Sequence, residues 1–271
     1  MLSGIIAYQV LQQENPQTID KVRVALEKHP WYANQWQTRL QDVSVADHGL
    51  VLFMQATKWA DDIRMQDRLQ NRPRWHYINS PFKPEGQQAS VQTKDPEPVN
   101  ILSAMAENQR IVSNDNDAER KAIALAWLFH LVGDVHQPLH TAQLFTVDYP
   151  QGNRGGNEIC VLVTQAGQPR DLHRFWDGVI TSSQNLTRLR SEATALRNRQ
   201  EFQRSQLTEI LNTDFESWAK ESFEIATKIA YRNGERLGFQ RVGLWIARCS
   251  QRLPCFLRDT LLAQAGLLIE G

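Results

Sequence analysis

Two spacers of the same form constrain this chain more than any other feature of it: His130-x-x-x-Asp134 and His173-x-x-x-Asp177. On an α-helix, residues four apart lie about 40° from one another around the axis, so each pair presents an imidazole and a carboxylate on one face, within reach of one cation. Five of the seven histidines fall between His76 and His173. With His76, His140 and the carboxylate of Asp61 added, the chain offers seven nitrogen and oxygen donors, more than one tetrahedral zinc can use. An isolated histidine in a helical protein is usually a surface or core residue, but two such pairs with further histidines close by call for a ligand reading. Helix-surface salt bridges, the ordinary alternative, contribute little at neutral pH and need no clustering. His136, six residues after His130, faces away from it and is left out of the ligand set.

Composition limits the function classes. At 271 residues and 41% hydrophobic, the chain can bury one large core or at most two smaller ones. Its 30 basic and 30 acidic side chains cancel, so binding of nucleic acid or phosphate must be local. Cys160, Cys249 and Cys255 are too scattered for a sulfur-rich zinc finger, and their odd number argues against a complete disulfide framework, although Cys249 and Cys255 could pair. The longest uncharged apolar stretches, around 5–11 and 123–128, are far shorter than the roughly 20 residues of a membrane span, so none is expected.

The periodicity predicts one all-α domain over 1–271. Met1–Leu11 reads as an amphipathic helix already under way, Val43–Arg64 as a second long helix carrying Val45, Leu50, Phe53 and Ala60, and Pro98–Ser113 as a third. A further helix from Asn116 or Asp117 to Val135 has an Asx cap and is stopped by Pro138, which puts His130 and Asp134 in its last two turns. Strand signal is expected in one place alone, a short β-hairpin near 158–170 after the glycine-rich turn 152–157. Leu172–Val179 returns to helix, Phe215, Trp218, Ala219, Ser222, Ala226 and Ile229 trace a buried stripe, and Arg241–Gly271 reads as a closing helix. Gln87–Pro98 is the strongest loop candidate.

Trp59-Ala-Asp-Asp-Ile-Arg, Trp75-His-Tyr-Ile-Asn, His130-Leu-Val-Gly-Asp-Val-His-Gln-Pro-Leu-His140, Gly155-Gly-Asn and Asp171-Leu-His-Arg-Phe-Trp-Asp177 resemble, in order and spacing, the zinc-dependent S1/P1 nuclease family. The resemblance implies a mainly helical fold of the zinc phospholipase C and S1/P1 nuclease type, with a cluster of three zinc ions. It implies an endonuclease that cleaves single-stranded DNA and RNA to 5′-phosphate products and removes 3′-phosphates from nucleotides. Carried over to this sequence, it assigns one zinc to Asp61, His76, His130 and Asp134 and a second to His140, His173 and Asp177, with Asp134 bridging to a third. Water acidified by these ions would attack phosphorus in line. Arg64 matches an arginine that neutralises charge on the phosphoryl oxygens, Tyr77 a ring on which an unpaired base stacks, and Asn157 a residue that bonds the base edge. Asn79 departs from the acidic residue that some members carry three places after the ligand histidine, which would loosen the orientation of Arg64.

The family's mature chain begins with a tryptophan whose amino group and carbonyl hold the third zinc, together with the histidine of a following Gly-His. Neither stands before Ile6–Leu11 here, so an internal start or a lost 5′ end is expected, with two zinc ions firmly held and turnover strongly reduced. Two rivals are a zinc phospholipase C and a catalytically impaired paralogue that binds zinc or nucleotides. The resemblance also implies a monomer that acts on single-stranded nucleic acid or nucleotides and is secreted or periplasmic, although the chain as it stands carries no signal peptide.

Overall fold

A computed structural model describes residues 1–64, 66–161, 169–202, 204–206 and 212–234. It is mainly helical, as the periodicity predicts. The described residues group into two compact units, each drawn from three separated stretches of chain: from 1–76, 99–134 and 183–215 in the first, and from 77–98, 135–182 and 216–234 in the second.

The first unit contains helices and no strand among its described residues. Helix α1 (Leu2–Glu14) packs on α4 (His48–Asp62) at a point where only glycine fits: a Cβ on Gly4 would lie 2.8 Å from the Thr57 methyl and 3.0 Å from the Phe53 carbonyl oxygen. Between them, α2 (Pro16–Leu26) starts on a proline, whose fixed φ suits a first helical position, and α3 (Gln37–Leu40) follows a π-helical turn over Tyr32–Trp36. Helix α4 starts later than the expected Val43. Ser44 donates to Asp47 (3.1 Å), residues 45–47 form a tighter turn, and Val45 is 82% exposed and off the buried stripe. Local side-chain bonding won over periodicity there.

Helix α5 (Ile101–Asn114) opens with a capping box in which the Asn100 side chain accepts from Ser103 N–H and the Ser103 hydroxyl accepts from Asn100 N–H. In α6 (Ala118–Val135) the expected Asp117 cap accepts from the N–H groups of Glu119 (2.9 Å) and Arg120 (3.1 Å). The unit's core gathers Ile5, Tyr8, Leu50, Phe53, Met54 and Leu189, the last from α9 (Leu186–Asn198).

The second unit contains both small sheets. The expected hairpin is present as β3 (Cys160–Val161) antiparallel to β4 (Arg170–Asp171), and Cys160 is disulfide-bonded. A second sheet was not expected from the sequence: β1 (Ser80–Phe82) runs parallel to β2 (Ala142–Leu144), in register Ser80 with Ala142. Three residues are too few to show an alternation, and a parallel pair has its partners far apart in sequence. Pro138 does not simply stop a helix; it starts α7 (Pro138–Thr141), with Gln137 as its cap. Helix α8 (Leu172–Asp177) is capped by Asp171, which accepts from Arg174 N–H. In α10 (Phe215–Ile225) and the turn after it, Ala219, Ser222 and Ala226 of the expected stripe are buried, whereas Phe215, Trp218 and Ile229 are half-exposed. The expected loop at 87–98 contains no helix or strand, and Lys83 ties it down by donating to the Val91 carbonyl (2.8 Å). The predicted closing helix at Arg241–Gly271, with Cys249 and Cys255, lies outside the described residues. No helix among the described residues is long and apolar enough to cross a membrane.

Candidate metal centres

Each unit gathers one group of predicted ligands. In the first, donor atoms of Asp61, His76 and His130 lie within 4.8 Å of one another, and Asp134 completes the set. His76 Nδ1 is 2.9 Å from His130 Nε2 and 2.9 Å from Asp134 Oδ2, and His130 Nε2 is 2.9 Å from the same oxygen. The geometry of α6 makes the His130–Asp134 edge of that triangle, since the two side chains stand one turn apart. Asp61 comes from the last turn of α4, and His76 closes a short 3₁₀ turn, Pro73–His76.

An aromatic wall supports these residues. Trp127, one turn before His130 on α6, meets Trp75 (centroids 4.9 Å apart), His76 (5.4 Å) and Trp59 (5.6 Å), and His29 abuts Trp59 (4.6 Å) and stacks on Trp36 (4.4 Å). Burying such rings stabilises by about 2 kcal/mol or more each, which holds the ends of two helices and a loop in one place. His29 itself is a core histidine, 3% exposed.

Electrostatics in this group favour a cation. Burial pulls the His130 imidazole down, but the charge and hydrogen bond of Asp134, with Asp61 behind it and the Thr57 carbonyl on the other nitrogen, outweigh it and push its pKa up to about 9. For the neighbouring His76 burial prevails and the pKa is lowered. The two carboxylates therefore call for one positive charge among them. Thr57 matters beyond this: its carbonyl accepts from His130 Nδ1 (2.8 Å), leaving Nε2 to face the carboxylate.

In the second unit His140, His173 and Asp177 form a group of the same tightness, with donor atoms within 4.8 Å. Asp177 Oδ1 is 3.5 Å from His140 Nε2 and 3.9 Å from His173 Nε2, and the two imidazoles stack at 4.7 Å and 15°. His173 Nδ1 donates to the Gly155 carbonyl (2.8 Å), again fixing which nitrogen faces the group. Gly155 has φ +59°, and a Cβ there would lie 2.6 Å from the Leu139 carbonyl oxygen, so this approach admits no side chain. Gln137 accepts from Leu139 N–H (2.6 Å) and donates to Asp177 (2.8 Å). Burial lowers the His173 pKa; burial alone would raise that of Asp177, but its bond from His140 and the neighbouring His173 bring it down.

Thr57, Gly155 and Gln137 are site residues that sequence reasoning did not find. Two of them act through backbone carbonyls, which every residue carries, and Gln137 differs from any other cap only in what its free end reaches. His136 stays out of both groups, with its ring 5.1 Å from Trp218. Arg64 donates to Asp61 (2.7 Å), both side chains about half exposed. Tyr77, beside His76 in sequence, is 37% exposed, and Asn157 donates through Nδ2 to the Arg154 carbonyl (2.7 Å) across the glycine turn.

Comparison with known proteins agrees with this chemistry. The family model described as S1/P1 Nuclease matches residues 2–242. Endonuclease 5 of Arabidopsis thaliana is 28% identical over 222 residues, covering 72% of this chain and 69% of the relative, and Endonuclease 3 of the same plant is 33% identical over 190 residues, 64% of this chain and 56% of the relative. Nuclease S1 of Aspergillus oryzae is 28% identical over 120 residues, 44% of this chain and 38% of its own length. The chain thus spans between roughly a third and two thirds of the relatives it matches, and its two His/Asp groups are able to hold metal ions. The chain belongs to the S1/P1 nuclease family, hydrolases that act on nucleic acid.

Proposed function

We propose that this protein is a zinc-dependent endonuclease of single-stranded DNA and RNA, leaving 5′-phosphates, with 3′-nucleotidase activity. The observation that carries the reading is the triangle of His76, His130 and Asp134, with edges of 2.9 Å. Ligands about 2.0–2.1 Å from a tetrahedral zinc stand roughly 3.3 Å apart, close to the spacing found here. Imidazole and carboxylate donors with backbone carbonyls behind the imidazoles form the donor set and outer shell that zinc prefers.

Asp61, His76, His130 and Asp134 supply four donors for one ion. His140, His173 and Asp177 would hold a second ion through three donors, the number typical of catalytic rather than structural zinc. Held there, zinc would supply Lewis-acid chemistry and acidify water near neutral pH. The protein's own groups do the rest. Arg64, tethered to Asp61, neutralises charge that grows on the phosphoryl oxygens as the leaving 3′-oxygen departs. Tyr77 offers an exposed ring to an unpaired base, and Asn157, after two glycines, bonds the base edge with its carbonyl oxygen while its amide nitrogen closes the turn.

The test is cleavage of a single-stranded oligonucleotide, the same sequence as duplex, a 3′-nucleotide and phosphatidylcholine vesicles, each with added zinc and with chelator. The reading expects zinc-dependent cleavage of the single strand and the 3′-nucleotide, slow cleavage of duplex and no action on vesicles. Lipid hydrolysis without nuclease activity supports a phospholipase instead, and zinc binding without turnover of any substrate supports a binding paralogue. Either result overturns the proposal.

A further inference from the structure

Between the ligands Asp61 and His76 the chain makes an excursion whose charge the site does not use. Residues 64–74 contain Arg64, Arg68, Arg72 and Arg74 against one carboxylate, Asp67, in a chain whose total charge is zero. All four guanidinium groups are on exposed residues. Asp67 forms no ion pair with them among the described residues, and its Oδ1 accepts from Leu69 N–H (2.9 Å) and Gln70 N–H (3.1 Å). Arg64 is engaged by Asp61, but Arg68 and Arg74 form no ion pair among the described residues, and Arg72 donates only to the carbonyls of Leu69 and Asn71 while lying 5.8 Å from the Trp75 ring centroid.

The excursion is built as a closed arm. Asp67 N–H bonds the Ile63 carbonyl, Asn71 N–H the Asp67 carbonyl and Trp75 N–H the Arg72 carbonyl, so turns succeed one another between the two ligands. Its roots are buried Ile63 and Trp75 packed on Trp127, and its tip exposes Leu69 at 82%. Arg74 is two residues from His76, so their Cα atoms are at most about 7 Å apart. Three exposed arginines without carboxylate partners among the described residues, Arg72 of them bonded to the segment's own carbonyls, therefore stand on a segment anchored at both ends to a metal group.

We propose that this arm binds the sugar-phosphate backbone of a single-stranded substrate next to the scissile phosphate, with Arg68, Arg72 and Arg74 each taking a phosphate outside the reacting one. Arginine suits this task because its planar fork bonds phosphate oxygens in pairs. The arm confers preference for polynucleotides over nucleotides, which are too short to reach it. The proposal rests on the nuclease reading above, but its binding readout does not.

The experiment is fluorescence anisotropy of a labelled, cleavage-resistant phosphorothioate 12-mer on the zinc-loaded protein, between about 0.05 and 0.3 M salt, alongside turnover of a 3′-nucleotide. Each phosphate contact on a single strand contributes about 0.7 to the slope of log K against log salt, so R68A/R72A/R74A should lose about 2 from that slope and bind more than about tenfold more weakly at the lowest salt. Nucleotide turnover should not change, and R68K/R72K/R74K should recover most of the slope. An unaltered slope and affinity in the alanine variant overturns the proposal, as does a wild-type protein that does not bind the oligonucleotide, an equal loss of nucleotide turnover, or arginine-dependent binding to anionic vesicles alone. Arginine-dependent oligonucleotide binding by a protein that hydrolyses nothing overturns the nuclease reading and leaves the arm standing.

Discussion

Acid should weaken the first unit through one buried ring. His29 stacks on Trp36 and meets Trp59 edge-on; its Nδ1 accepts from Trp31 N–H (3.1 Å), and its Nε2 has no hydrogen-bond partner among the described residues. Burial lowers its pKa from the ordinary 6.5 to about 3. A proton on Nδ1 would also turn the acceptor toward Trp31 into a second donor. Below pH 6.5 the unfolded chain takes up a proton that the folded chain refuses, so stability falls as pH drops from 6.5 and levels off only below about 3. From these values the loss is close to zero at pH 7.5, about 2 kcal/mol at pH 5 and about 3 kcal/mol at pH 4. His29→Gln keeps an acceptor for Trp31 and removes the titration. Urea unfolding followed by tryptophan fluorescence at pH 7.5, 6 and 5 measures the effect, and the difference between wild type and variant cancels zinc release and carboxylate titration common to both. Wild type should lose about 2 kcal/mol more than His29→Gln between pH 7.5 and 5. Parallel stability curves for the two proteins would refute the argument. Because Trp59 lies two residues before Asp61 and against Trp127, the same proton acts on the support of the first metal group.

Three further outcomes are expected. Gly155→Ala places a methyl 2.6 Å from the Leu139 carbonyl at a positive φ and moves the carbonyl that orients His173; zinc affinity of the second group should fall about 10- to 100-fold by competition with a chromogenic chelator, while the first group keeps its ion. Gln137→Ala removes both a helix cap and the donor to Asp177, and a loss of about 1 kcal/mol in thermal unfolding together with about tenfold weaker zinc binding is expected. Trp127→Ala opens a cavity behind His76 and His130 and should cost about 3–5 kcal/mol in denaturant unfolding, with loss of the first group's metal.

The ligands that share a helix turn were legible in the sequence because a four-residue spacer is local: α6 makes His130 and Asp134 neighbours whatever the rest of the chain does, and α8 does the same for His173 and Asp177. Asp61 and His76 were not reachable that way. Their spacing fits no single element: the count of donors brings them into the set, and the family resemblance assigns them to the same ion as His130. The start of α6 follows from its Asp117 cap, but the sequence reading starts α5 at Pro98, three residues early, without the Asn100 cap, and it starts α4 at Val43 because Val45 continues an apolar pattern that Ser44 and Asp47 interrupt. The parallel pairing of Ser80–Phe82 with Ala142–Leu144 left no local trace, since it depends on two segments sixty residues apart meeting. The carbonyls of Thr57 and Gly155 are invisible to any reading of side chains, yet they decide which nitrogen each histidine presents.

Metal content addresses the central claim directly. Protein dialysed against metal-free buffer after zinc loading should retain two zinc ions per chain, one for each His/Asp group, with His130→Ala and His173→Ala each retaining one and the double variant none. A wild type that retains no zinc, or single variants that lose nothing, would contradict the account.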